Sequence, residues 1–254
     1  MAPASTGTTA MRITTTPTSP ESGAMDDNKD SYADEKTMLA DAIRMLERAG
    51  IIDFNGHFSW RVPDRDLMLI NSGASVRSAL TGADIVLVDF DGKLVAGEAV
   101  PPMEFHIHSE IYRRRPDVGA VVHTHPLWST LFSMAGVPVQ PVIMQAAVLG
   151  PIRLFDETAS INRRELGQRL ATALGEDRVV MLKSHGAVAA GAGIVEAFVL
   201  AVYLEETAQR QHLASQLGAP TVLEPAQIAA IRANLWKPHL LRKVWDYHHA
   251  KLER

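Results

Sequence analysis

EFHIHSEIYRRRPDVGAVVHTHP, residues 104–126, is the stretch whose reading decides the fold of this chain. Pro101-Pro102 stop whatever precedes it and launch a helical pattern, which Pro116 closes. The apolar run Val118–Val122 then reads as a buried strand ending in His123 and His125. Side chains two apart on a strand share a face, so the two imidazoles point the same way. They do so at a strand end where loops begin, the usual place for chemistry in α/β proteins. A third histidine, His185, follows a second strand-like run, Val179–Leu182, in KSHGA (183–187). Glu104, on the helix side, offers a carboxylate. A His-x-His pair alone is a weak signal, more often two ordinary histidines than a metal site. The company of His185 and Glu104 raises it to a four-ligand shell. Catalytic metal sites keep a position open for substrate. The chain has no cysteine, so nitrogen and oxygen ligands favour Zn, Mn, Fe or Co over a thiolate-held ion.

Working outward, residues 31–50 carry a helical pattern (Tyr32, Leu39, Ile43, Leu46) that ends at Gly50. FNGHFSWRV reads as a turn and a strand, and DLMLI as its hairpin partner. ADIVLVD is a further strand, and Asp91-Gly92 turns it back into KLVAG. PLWSTLFSMAG is a short helix ending at Gly136, and VIMQA (142–146) reads as a strand. Asn162 is a candidate cap for the helix RRELGQRLATAL. DRVVMLKSH is a strand, followed by a glycine-rich turn and the long helix that begins GIVEAF. Two more helices close the chain, near 224–234 and 239–252. Hairpins in the first half with helices interleaved predict one three-layer αβα domain of the α/β class. Its central sheet is mixed or largely antiparallel.

The domain is expected over 31–254. Residues 1–30, dominated by Ala, Ser, Thr, Pro and Gly, are expected to be a disordered tail. No apolar h-region of a secretory signal follows the start, and no apolar run approaches the ~20 residues that span a bilayer. A net charge of −4 argues against a nucleic-acid partner. With no cysteine to protect, a reducing, cytoplasmic setting is expected.

GHFSWR, then EFHIHSEIYRRRPDVGAVVHTHP, then strand–His–Gly leading into a long helix resemble the class II aldolase/adducin family. The resemblance covers about residues 33–250 in order and spacing. It implies one divalent metal per subunit, held by His123, His125 and His185. It implies that Glu104 lies near or on the metal as acid/base, and a homotetramer with active sites at subunit interfaces.

The departures bear on the substrate. Sugar-phosphate aldolases of that family grip the phosphate with a Gly-Asn turn and with hydroxyl residues just before the acidic residue. Here His57 follows Gly56, and Pro102 and Met103 precede Glu104. Ser72, Gly73 and Ser75 remain as donors, and the neighbour-subunit tyrosine of the aldolases has no counterpart between Tyr112 and Tyr203. The Gly-His-x-Ser-x-Arg version resembles members acting on unphosphorylated acids, some of them metal-dependent decarboxylases of hydroxylated aromatic dicarboxylates. The expected function is therefore a metal-dependent carbon–carbon lyase. The first choice is a decarboxylase of a small hydroxylated aromatic (di)carboxylate or oxo acid through a metal-stabilised enolate. His57 or Glu104 would supply the proton, and Arg61 or Arg77 would fork a substrate carboxylate; either arginine could equally be solvated. His108 is expected to share the face of Glu104. Tyr247, in the C-terminal WDYHH cluster, would reach a substrate from a neighbouring subunit or else simply face solvent. The alternatives are an aldolase for a hydroxy-oxo acid, a non-haem iron oxygenase, and an adducin-like binding module without chemistry.

Overall fold

The strand that ends in His123 lies in the middle of an eight-stranded sheet. In the computed structural model, which describes residues 1, 2, 4 and 32–252, that strand is β5 (Ala120–Thr124). The tail expected at 1–30 falls almost wholly outside the described residues. In chain order the earlier elements are α1 (Ala33–Arg48), β1 (His57–Arg61), β2 (Leu67–Asn71), β3 (Ile85–Asp89), β4 (Leu94–Ala96) and α2 (His106–Arg114). After β5 come α3 (Leu127–Ala135), β6 (Arg153–Phe155), α4 (Arg164–Leu174), β7 (Val179–Leu182), β8 (Gly186–Gly191), α5 (Ile194–Ser215), α6 (Pro225–Leu235) and α7 (Pro238–His249). The sheet order is β4-β3-β2-β1-β5-β8-β7-β6. Every pairing is antiparallel except β6 with β7, which is parallel. The expected α/β domain with a mixed, largely antiparallel sheet is what forms.

The three layers follow from the alternation of β5. Val122 enters one core with Leu39, Ile43 and Leu46 of α1 and Phe198 of α5. Val121 enters the other, with Ile107 and Ile111 of α2 and Leu166 and Leu170 of α4. Successive strand residues face opposite sides, so helices on both faces bury the whole of β5. Each such side chain contributes roughly 1.5–3 kcal/mol by leaving water. A strand covered on both faces reads as an unbroken apolar run, which is why it was visible in the sequence.

Four local expectations need correction. Residues 142–146 do not form a strand; Met144–Val148 is a 3-10 turn, whose Ala146, Ala147 and Val148 are buried and whose Ala147 carbonyl accepts from Arg232 of α6. The edge place is taken by β6 instead. Asn162 does not cap α4: the cap position is Arg163, with no side-chain bond. Glu104 stands in the turn before α2 rather than on the helix, with the Ile107 amide donating to its carbonyl at 2.9 Å. The supposed glycine-rich turn after His185 is β8, an internal strand bonded to both β5 and β7.

Candidate active site

Three strand ends converge on one cavity. His57 opens β1 and stands opposite His123 in the β1–β5 register, with the two rings 4.9 Å apart between centroids. His125 follows β5 by one residue. His185 sits on the tight connection from β7 to β8, where Ser184 adopts a left-handed φ of 53°. Glu104 reaches in from the turn before α2. One ligand atom from each of Glu104, His123, His125 and His185 lies within 4.8 Å of all the others. The sequence-predicted ligand set is thus brought together.

The hydrogen bonds behind the rings set their protonation. His123 Nδ1 donates to the Ala187 carbonyl at 3.1 Å, and His125 Nδ1 faces Asp53 Oδ1 at 3.3 Å. A carbonyl or an ionised carboxylate only accepts, so each Nδ1 carries the proton and each Nε2 is bare. Those two bare Nε2 atoms are 3.0 Å apart. Two lone pairs so close repel unless a positive charge lies between them. A proton on His123 itself is disfavoured, because burial holds that imidazole well below its ordinary pKa. Metal binding wants this arrangement: neutral imidazoles, each fixed from behind by an acceptor. His185 adds a buried Nδ1 without a hydrogen-bond partner and an Nε2 3.8 Å from Glu104 Oε1. These four side chains could hold one divalent cation.

Glu104 is divided in two. Its Oε1 accepts from the Ser160 hydroxyl and from the Ile161 amide, both at 2.8 Å. Its Oε2 faces His57 Nε2 at 3.7 Å and His123 Nε2 at 3.6 Å. Burial works against its charge, but His57, His123 and the Ile161 amide outweigh it and hold the carboxyl well below the usual carboxylate range. His57 is lowered too: burial disfavours its charged form, and Glu104 only partly restores it. The pair is an ionised carboxylate beside a neutral imidazole.

The cavity beside these groups measures about 760 Å³, within the range of small-molecule sites. Its walls include Gly73, Arg77, Pro102, Met103 and Ser160. Arg77 is only 4 % exposed. Its Nε donates to the Gly56 carbonyl at 2.9 Å, and its Nη1 to Ser75 Oγ at 2.9 Å and to the Ser75 carbonyl. Gly73 lines the cavity, but its amide already donates to the Val100 carbonyl at 3.0 Å. Ser72 is buried, and its carbonyl accepts from Ser75 Oγ at 2.8 Å.

Of the expected catalytic and substrate-binding residues, Ser72, Arg61 and Tyr247 do not line this chain's own cavity. Arg61 does not line the cavity. Its Nη1 donates to the carbonyls of Tyr112 at 3.0 Å and Arg115 at 3.3 Å, and its guanidinium lies 5.6 Å from the Phe90 ring centroid. It ties β1 to the end of α2, and of the two candidate forks Arg77 is the one on the cavity wall. Tyr247 lies on α7, 62 % exposed, with Lys251 Nζ 4.0 Å over its ring; it too is absent from the wall. Around it, Trp245 packs on Phe198, and His249 faces Asp41 at 3.2 Å. Sequence reasoning missed Asp53 and Ser160, because each is joined to the site only by the fold. It also aimed His108 at Glu104, whereas the ring is buried and bonded to His57 and Ser59.

A family model described as Class II Aldolase and Adducin N-terminal domain matches residues 37–212. The chain belongs to this family. It is 31% identical over 214 residues to a 3,4-dihydroxyphthalate decarboxylase from Terrabacter sp. (strain DBF63), covering 79% of this chain and 90% of that one. It is 30% identical over 169 residues to an L-fuculose phosphate aldolase from Methanococcus vannielii, covering 66% of this chain and 90% of that one. Among solved structures, an L-fuculose 1-phosphate aldolase from Glaciozyma antarctica PI12 shares the fold, with a TM-score of 0.77 at 24% identity over 87% of this chain and 89% of that one. Both named relatives break carbon–carbon bonds, and class II aldolases use a divalent metal. Among the described residues, no helix is long and apolar enough to cross a membrane.

Proposed function

We propose that this chain is a divalent-metal-dependent carbon–carbon lyase that decarboxylates an unphosphorylated, hydroxylated aromatic carboxylate or dicarboxylate, or an oxo acid. The observation that carries this reading is a metal-ready ligand set beside a cavity in which Gly73, Pro102 and Met103, where a phosphate grip was expected, offer no free donor. The Gly73 amide is spent on Val100, Pro102 has no amide hydrogen, and Met103 offers no hydroxyl. A phosphate dianion needs several donors; a carboxylate needs one guanidinium, and Arg77 stands in the wall. The 31% identity to a decarboxylase supports the same choice.

His123, His125 and His185 would hold a divalent ion (Zn, Mn, Fe or Co), which would supply a Lewis acid to stabilise the negative charge that develops on a substrate oxygen when CO₂ departs. Arg77 orients the substrate carboxylate by charge. The ionised Glu104 takes the proton of the substrate hydroxyl as it binds. After CO₂ leaves, it returns that proton to the carbon, and the product oxyanion takes its own proton from solvent on release. His57 Nε2 faces the same Oε2 and steadies it. Active sites completed at the interfaces of a homotetramer, with Tyr247 reaching a neighbouring cavity, belong to the same proposal. A second reading, aldol cleavage of a hydroxy-oxo acid, is favoured by the 30% identity to an aldolase; it differs in releasing an aldehyde rather than CO₂.

Metal analysis of the purified protein, followed by a side-by-side assay of hydroxylated aromatic acids and a ketose 1-phosphate, tests the proposal. CO₂ release from an acid is expected. Efficient cleavage of the phosphate ester with every acid untouched would sink it and favour the aldolase.

A further inference from the structure

His57 is the outer end of a buried polar chain that the reaction scheme above leaves unused. Its Nδ1 lies 2.6 Å from His108 Nε2. His108 Nδ1 lies 2.6 Å from Ser59 Oγ, and Ser59 Oγ lies 2.6 Å from the Tyr112 hydroxyl. His108, Ser59 and Tyr112 are each 0 % exposed, and His57 is 3 % exposed. The chain runs from the cavity wall on β1 to the middle of α2, away from solvent.

Protons in such a chain can be counted. Tyr112 and Ser59 bring one hydroxyl hydrogen each, and each neutral imidazole brings one N–H. Suppose His57 Nδ1 donated to His108 and His108 donated to Ser59. Then either the Ser59 or the Tyr112 hydrogen would have no acceptor in the chain. A buried hydroxyl left so costs free energy. In the opposite direction every hydrogen is used. Tyr112 donates to Ser59, Ser59 to His108 Nδ1, and His108 Nε2 to His57 Nδ1. The hydrogen of His57 is then on Nε2, which faces Glu104 Oε2 at 3.7 Å. A carboxylate there prefers a donor to a lone pair, so both ends of the chain select the same direction.

We infer that Tyr112, Ser59 and His108 are positioning residues that lock His57 in the Nε2–H tautomer, so that it presents a fixed hydrogen-bond donor to Glu104 and to negative charge on the substrate. His57 is thereby a donor of a hydrogen bond rather than of a proton. Giving up Nε2–H would pull protons along the chain and leave a charge on the buried Tyr112 oxygen. The proton returned to the substrate comes from Glu104. This rests on the proposed function only in assigning the charge that His57 meets; the tautomer itself does not.

The test uses zinc-loaded, ¹⁵N-histidine-labelled full-length protein, with His57→Asn to assign the His57 signals. A protonated Nε2 and a bare, hydrogen-bonded Nδ1 are expected for His57. Ser59→Ala removes the hydroxyl that donates to His108 Nδ1 and should turn that spectrum toward a mixture of tautomers, with a fall of a few-fold in kcat. His108→Leu should lower kcat by about 10–100-fold, the usual cost of losing an orienting partner, with little change in KM. His108→Gln, whose amide still donates, should restore most of it. Nδ1–H on His57 in the unaltered protein would overturn the inference. So would a His57 spectrum unchanged in Ser59→Ala, or a kcat that Gln fails to restore where Leu loses it. If His108→Leu does not fold, Ser59→Ala still decides. If no acid is turned over at all, the proposed function fails, while the spectrum still reads the tautomer.

Discussion

Two inward-facing glutamates in this molecule do opposite things. Glu205, on α5, is 7 % exposed and fully spent: it accepts from the Trp128 amide at 2.6 Å and from the amide and hydroxyl of Ser129 at 2.9 Å. It caps the first turn of α3, satisfying donors that no helix satisfies for itself. Glu104, with a side chain 15 % exposed, is half spent. One oxygen is tied to Ser160 and Ile161; the other faces imidazole nitrogens beyond hydrogen-bond distance. Burial raises the pKa of Glu205, with its donors only partly opposing, whereas around Glu104 the histidines win over burial. A buried carboxylate whose donors are all supplied by the backbone and one serine holds a fold together. One left with an oxygen short of partners is set for something that arrives later.

The largest effect should come from the nitrogens. His123→Ala removes a ligand from the centre of the cluster. It should strip the metal, seen by elemental analysis, and abolish turnover; full occupancy and rate would break the contrast at its root. Next is Glu104→Gln, expected to cost about 10²–10⁴-fold in kcat with the melting midpoint nearly unmoved. Glu205→Ala should do the reverse: a loss of about 1–3 kcal/mol in unfolding free energy for the orphaned donors of α3, with kcat per folded molecule retained. If Glu104→Gln unfolded the protein and Glu205→Ala silenced it, the two roles would have to be exchanged.

The smallest effect concerns a buried histidine outside the site. Burial, with a lesser push from Lys251, lowers His248 to about 4, against roughly 6.5 when unfolded. Its neutral form is favoured in the folded state, so the unfolded chain binds more protons between those values. The stability it contributes is present above about 6.5 and is lost as pH falls toward about 4. His248→Phe, which keeps a ring against Phe198, should flatten that part of the melting-temperature profile. An unchanged slope would assign the acid sensitivity to the imidazoles of the site instead.

How far the sequence foretold all this depended on distance along the chain. β5 was readable because Val121 and Val122 are buried on opposite faces and leave an apolar run. β8 was not. GAVAAG has the small residues of a turn, yet they are needed for close approach: a Cβ on Gly186 would come 2.1 Å from the Thr124 carbonyl oxygen, and one on Gly191 2.7 Å from the Ala197 nitrogen. The candidate ligands His123, His125 and His185 could be named because strand ends announce themselves. Asp53 could not, since only folding brings it to His125. The helix-face reading of His108 failed because Glu104 is in the turn before α2, which frees that ring to reach β1.

The cavity has a rigid side and a replaceable side. The candidate cation ligands His123, His125 and His185 stand on the ends of central strands or on a tight turn between two of them, fastened by the sheet's own hydrogen bonds. The opposite wall comes from connecting segments, residues 100–103 and the stretch around Thr158. Such segments tolerate exchange far better than internal strands do. A lineage could rewrite what enters this cavity without reopening the question of how the cation is gripped. An engineer seeking a different acid would begin with those two segments and leave β5 and β8 alone.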